Sequence, residues 1–215
     1  MRTTTTPAVP TARAVVDAAA AEVGTREGRT GGHWNNDTKY ADEVPGLEWA
    51  DRQPWCATFV SWVALRSGAA ALYPRTASCD LGAAWFKDRG EFSDTPRGPG
   101  DQVFFGTPRD LVHTGLVVSF DADTITTIEG NTNDSGSREG DGVYRKVRRR
   151  RDAYVVGYGH PSFPVAPAPA PKPPKGTRLA QIRASLTELI GKSKPGSDRR
   201  KALRRARNEL PAGRR

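Results

Sequence analysis

The hydrophobic pattern of this chain changes period once, near Pro99-Gly100-Asp101, and that change constrains the fold more than any other feature. Ahead of it, apolar residues recur at helical spacing. In residues 12–23, Val15, Ala19 and Val23 form one stripe, with Thr11 suited to the N-cap and Gly24 to the stop. In residues 55–67, Cys56, Phe59, Val60 and Val63 share a face, with Pro54 at the entry and Gly68 at the exit. Trp62 and Leu65 make this second helix apolar on other sides too, which predicts a buried central helix. A third helix is expected near residues 81–89. Beyond the turn the period falls to two, and strands are expected at residues 102–105, 112–120, 124–129, 143–148 and 153–158. Helices first and consecutive short strands afterwards predict an α+β domain in which N-terminal helices pack on an antiparallel sheet.

A chain of 215 residues can bury one good core and carry an appendage. The boundary is written in composition: residues 161–175 are proline-rich and read as a semi-rigid linker. The catalytic-size domain is therefore expected at residues 1–160. After the linker, Leu179, Ile182, Leu186, Leu189 and Ile190 recur at helical spacing, and residues 198–210 form a second, arginine-rich helix. The net charge of +9 belongs entirely to this end of the chain. Residues 176–215 hold 12 Lys+Arg against 3 Asp+Glu, and the preceding 175 residues hold 21 of each. Such a segment seeks polyanions, which charge alone does not identify. No apolar run approaches the ~20 residues of a membrane span. Residues 1–10 lack the basic start and apolar stretch of a secretory signal, so if the protein acts outside the cell that makes it, release by other means is expected.

Only two cysteines, Cys56 and Cys79, and three histidines, His33, His113 and His160, are present. No CxxC or HxxxH spacing occurs, so no zinc site is expected, and no clustered carboxylate loop suggests calcium; the cofactor expectation is none. Cys56 falls in the first turn of the central helix. Unpaired N–H groups and the positive end of the helix dipole favour a thiolate there and could hold an oxyanion. Gln53 and Trp55 are the expected oxyanion and substrate-binding residues beside it. The plainer reading is a small buried hydrophobe.

The strands bear on that choice. If residues 121–123 form a three-residue loop, Phe120 faces Thr124 and His113 falls opposite Asn131, with Glu129 one pair away on the same face. A two-residue shift places Glu129 directly opposite instead. Either way the imidazole gains a carboxylate or an amide to fix its tautomer, the third member of a Cys-His nucleophilic system. A bulge would reverse the parity. Cys79 is expected to be a buried free thiol, since a disulfide to Cys56 would disable the nucleophile. His33 and His160 read as surface or packing residues, and Arg148 to Arg151 as a solvated strand end. Trp34 or Trp85 could line a substrate groove.

Trp55-Cys56-Ala57 with Phe59-Val60-Ser61-Trp62, then Pro99-Gly100-Asp101 with Phe104-Phe105, His113-Thr114-Gly115 and Glu129-Gly130-Asn131, resembles the CHAP family of cysteine, histidine-dependent amidohydrolases/peptidases. The resemblance covers roughly residues 12–160. It implies a papain-like α+β fold and hydrolysis of an amide bond in the peptide part of bacterial peptidoglycan. Cys56 would be nucleophile, His113 general base then acid, Glu129 the residue orienting the imidazole, and Asn131 a further polar member of the site. Asn35-Asn36-Asp37-Thr38-Lys39-Tyr40 is similar to phage-encoded members, which implies an endolysin. Its partners would be peptidoglycan and anionic wall polymers, the latter through residues 176–215. Whether the bond is that of an N-acetylmuramoyl-L-alanine amidase or of a peptide endopeptidase stays open. The rival reading is an inactive protein whose tail binds wall or nucleic acid; the intact Cys56, His113, Glu129 set and the absence of stacking aromatics in the tail disfavour it.

Overall fold

The computed structural model describes residues 9–134, 140–164 and 178–210. The chain divides into two compact units, Met1–Val165 and Ala166–Arg215. Most of the expected linker, and residues 1–8, lie outside the described residues.

The first unit opens with α1 (Ala12–Ala20), capped as the sequence suggests: Thr11 Oγ1 accepts from Ala14 N at 3.1 Å. Val15 and Ala19 are buried, whereas Val23 lies beyond the helix and is exposed. A small hairpin of β1 (Arg29–Thr30) and β2 (His33–Trp34) leads to the short α2 (Lys39–Asp42). The central helix α3 (Cys56–Arg66) follows, with every residue from Cys56 to Ala64 buried. Next, α4 (Cys79–Lys87) begins two residues before the expected start, because Ser78 Oγ accepts from Leu81 N and supplies the cap.

The remaining strands are β3 (Phe92–Ser93), β4 (Gln102–Thr107), β5 (Asp110–Phe120), β6 (Thr124–Thr132), β7 (Gly142–Arg149) and β8 (Val155–Gly159). They form one antiparallel sheet in the order β3-β8-β4-β5-β6-β7, so the fold is α+β as expected. Helix α3 packs on β5 and β6. Phe104, Leu116 and Ile128 enter the core that holds Phe59 and Val63, while Val103, Phe105, Val117, Ile125 and Tyr158 form a second cluster. Alternation along the strands separates the two sets. Close approach of helix and sheet depends on Gly130, where a Cβ would come within 2.6 Å of the Trp55 ring and 2.7 Å of Phe59.

The unit does not stop at residue 160. Phe163 stacks edge-on with Tyr73 and lies against Gly100, and Ser162 Oγ donates to Glu91, so the start of the expected linker is part of the packed body. His160 is buried between Ser93, at 2.7 Å, and Asp101, at 3.2 Å.

The second unit contains α5 (Arg178–Lys192) and α6 (Asp198–Glu209), which pack on each other. Ser197 caps α6 by accepting from Arg200 N, and the Arg183 guanidinium donates to Leu210 O at 2.6 Å. The expected apolar stripe of α5 is only partly covered: Ile190 is buried, but Ile182 and Leu189 are each 41% exposed. Among the described residues no helix is long and apolar enough to cross a membrane.

Candidate active site

Helix α3 starts at Cys56 with no side chain capping it, since Trp55 occupies the N-cap without a cap hydrogen bond. Its first-turn N–H groups are thus free to stabilise negative charge. Cys56 lines a groove of about 600 Å³ together with Pro54, His113, Asn131, Lys146 and Tyr154. A second depression of similar size, lined by Asp123, Thr124, Arg149, Arg151, Asp152 and Ala153, contains neither a cysteine nor a histidine.

His113 is held from three directions. Its Nε2 bonds Glu129 Oε2 at 2.9 Å, and its ring stacks on Phe105 with centroids 5.6 Å apart. Its interaction with Cys56 leaves Nδ1 as the nitrogen available to the sulfur, because Nε2 is engaged by the carboxylate. Glu129 is fully buried, and the protein surrounds it with donors: Thr127 Oγ1 at 2.6 Å, Arg148 Nε at 2.6 Å and Arg148 Nη2 at 2.5 Å, besides the imidazole. The fork-shaped pairing with Arg148 satisfies both carboxylate oxygens at once. Arg148 in turn lies over the Phe105 ring at 4.7 Å.

These contacts set the ionisation states. The Cys56 thiol is held well below its ordinary range, first by a hydrogen bond from Cys79, then, against the opposing effect of burial, by His113 and the backbone N–H of Thr114. For His113, burial opposes the charged ring, but the bonds and charges of Cys56 and Glu129 raise it to about 9. Burial also works against the Glu129 charge, yet Arg148 and His113 hold its pKa at about 2. The combination favours thiolate, imidazolium and carboxylate together near neutral pH.

The site explains Gly115. A Cβ there would sit 2.5 Å from Glu129 Cγ and 3.0 Å from the Ile128 carbonyl oxygen, in the path by which the carboxylate reaches His113. Gly115→Ala is expected to displace Glu129, lower catalysis at least ~10-fold and cost about 1–3 kcal/mol of stability, as overpacking does. A thermal melt and an activity assay check it, and wild-type values in both would show that Glu129 has slack.

The structure brings Cys56, His113 and Asn131 into one groove and places Glu129 behind the imidazole. The carboxylate, not the amide, pairs with His113; Asn131 Nδ2 reaches Asn36 Oδ1 at 3.5 Å instead, from a left-handed backbone at φ 52°. Two expected residues are elsewhere. Trp55 is core, 1% exposed, with its indole N–H donating to Glu27 at 2.8 Å, because the ring fills the space beside Tyr40 and Phe59. Gln53 is exposed on the preceding turn and does not line the groove, and neither do Trp34 and Trp85. Arg148 departs from the solvated strand end expected for it: its charge turns inward to Glu129. The sequence pattern gives no role to Tyr154 and Lys146, which line the groove, or to Phe105, which is buried against the His113 ring. Among the described residues no group of three or more His, Cys, Asp or Glu is placed to hold a metal ion.

A buried carboxylate orienting an imidazole beside a thiol at a helix start defines a cysteine–histidine site on an α+β scaffold. The CHAP domain family model matches residues 48–131, a span that holds Cys56, His113, Glu129 and Asn131. Among solved structures, the crystal structure of Ly7917 is similar at 18% identity and TM-score 0.43, covering 70% of this chain and 62% of that one. The crystal structure of Ly7917 with the hydrolyzing product of MDP is similar at 19% identity and TM-score 0.43, covering 70% and 63%. This chain therefore spans a little under two thirds of those proteins. No curated protein matches it.

Proposed function

We propose that the protein is a peptidoglycan hydrolase that cleaves an amide bond in the wall peptide by cysteine nucleophilic catalysis. The observation that carries the reading is the buried His113–Glu129 pair set beside Cys56 in an open groove. The Cys56 thiolate attacks the amide carbonyl carbon, and first-turn N–H groups of α3 stabilise the resulting oxyanion. The intermediate collapses as His113 gives its proton to the departing amine, leaving a thioester. A water then loses a proton to His113 and attacks the thioester, releasing the acid and regenerating the thiolate. Glu129, Arg148 and Phe105 keep the imidazole in place throughout. Digestion of purified wall followed by mass analysis tests the proposal: freed lactyl carboxyls on the sugar chain identify an amidase, new termini within the peptide with the lactyl amide intact identify an endopeptidase, and the absence of both refutes hydrolysis of the wall peptide.

The second unit supplies the partner side of the reading. Helix α6 carries Arg199, Arg200, Lys201, Arg204, Arg205 and Arg207, a cationic surface suited to anionic wall polymers. A catalytic unit joined to such a unit fits an endolysin, with residues 178–210 concentrating the enzyme on an insoluble substrate. Removal of residues 166–215, a cut that retains Phe163, is expected to leave hydrolysis of solubilised wall fragments intact. It should weaken action on intact cells, and the difference should shrink at several tenths molar salt, where the Debye length is about 4 to 6 Å. Equal binding of both forms to purified walls at low salt would remove this role.

A further inference from the structure

We propose that Cys79 is a positioning residue for the nucleophile: its thiol donates a hydrogen bond to Cys56 Sγ and so holds Cys56 as the reactive thiolate. The inference rests on the reading of Cys56 as nucleophile. The two sulfurs lie 3.7 Å apart and both residues are buried, at 6% and 7% exposure. That separation is a sulfur hydrogen bond and not a disulfide, whose sulfurs sit ~2.05 Å apart. A thiolate at Cys56 has no proton to give, so the donor in this contact is Cys79.

The surroundings fix both the place and the proton of Cys79. It is the first residue of α4, as Cys56 is of α3, so two helix starts converge on one sulfur pair. Ser78 caps α4, and Asp80 Oδ1 accepts from Leu111 N at 3.1 Å, which ties this turn to β5 two residues before His113. Around the sulfurs stand His113 and the Thr114 N–H from β5, Glu129 from β6 behind the imidazole, Arg148 from β7 behind Glu129, Asp80 on α4 itself and Tyr154. The Cys56 contact first, then burial and the Asp80 charge, raise the pKa of Cys79 far above the ordinary range, so it remains a thiol while its neighbour ionises. The roles of the two cysteines are therefore asymmetric: one is the anion, the other the donor that stabilises it.

The test is the pH dependence of alkylation by iodoacetamide in the full-length chain, compared for wild type, Cys79→Ala and Cys79→Ser, with the modified residue located by mass spectrometry. The chain has two cysteines, so each variant reports Cys56 alone. Cys79→Ala is expected to raise the alkylation midpoint by about one pH unit, the scale of a lost hydrogen bond to a charged group. Its kcat/KM on wall fragments should fall about tenfold below that midpoint, through kcat and not KM, and recover toward pH 8. Cys79→Ser keeps a donor, so its midpoint should return to within a few tenths of wild type and its activity to within about threefold. An unchanged midpoint in Cys79→Ala, or equal shifts in the two variants, overturns the donor role. Hydrolysis at the wild-type rate by Cys56→Ala would instead remove the nucleophile reading itself, so the two failures are distinguishable.

Discussion

Cys56→Ala should hydrolyse purified cell wall at least ~10³-fold more slowly than wild type while melting within a few degrees of it. The size of the loss follows from deletion of the covalent route, since Cys56 is the groove residue set beside the His113–Glu129 pair. Stability should change little because loss of the sulfur leaves the α3 core contacts of Phe59, Val60 and Val63 in place. Retention of more than a tenth of wild-type activity would take Cys56 out of the mechanism. The wild-type pH profile provides a second reading of the same pair. With His113 raised to about 9, the imidazolium needed to protonate the leaving amine is lost only above that value, so the high-pH limb should lie near 9. Glu129→Gln retains an acceptor for the imidazole but removes the charge. It should be milder than loss of Cys56 and should move the limb downward, toward the ordinary histidine value of 6.5.

Arg148→Ala is expected to be the most destabilising single change in the site, by about 3 kcal/mol, or roughly 6–12 °C in the melting temperature. Glu129 is fully buried, and Arg148 supplies two of its four described hydrogen bonds, so the truncation leaves a buried carboxylate without its cationic partner. The sign with pH follows from the direction of the shift. Glu129 is held at about 2 in the folded state against an ordinary 4.5. Its contribution is therefore complete above 4.5 and lost as pH falls toward 2. Without Arg148 the folded-state value rises, so the stabilisation shrinks and acid unfolding begins at higher pH. Denaturant titrations of wild type and Arg148→Ala at pH 7 and pH 4 measure this. A wild-type midpoint in the variant at pH 7 would mean that Thr127 and His113 satisfy Glu129 unaided.

Much of this site is legible in the chain before any coordinates. Cys56 at a helix start is fixed by Pro54 and the apolar spacing of Phe59, Val60 and Val63. The His113–Glu129 relation survives a feature that the simple hairpin omits. The turn is one residue longer than expected, with Phe120 paired to Ile125, because Asp121 accepts from Asp123 N, Thr124 N and Thr124 Oγ1. A bulge at Val118 takes up the difference and restores the Leu116↔Ile128 pairing that the three-residue loop would also give. Arg148 was not legible, because its partner depends on the register of β7, which is shifted by an irregularity between Glu129 and Thr132. Trp55 misled for a different reason. An aromatic beside a nucleophile suits either a groove wall or the core, and only the close approach at Gly130 decides for the core. Cys79 and Cys56 are 23 residues apart, and nothing in either helical pattern foretells that both helix starts meet.

The β5–β6 hairpin also separates chemistry from engineering. Leu116 and Ile128 lock its register from inside the core, so the ladder beyond them is free to differ in turn length without moving His113 or Glu129. Its tip, Asp121-Ala122-Asp123, is exposed, and Phe120 is seven residues along β5 from His113, roughly 23 Å at strand rise. That tip is accordingly a graft point: a peptide epitope, a fluorophore or an added targeting module inserted there would be displayed at a distance from the groove.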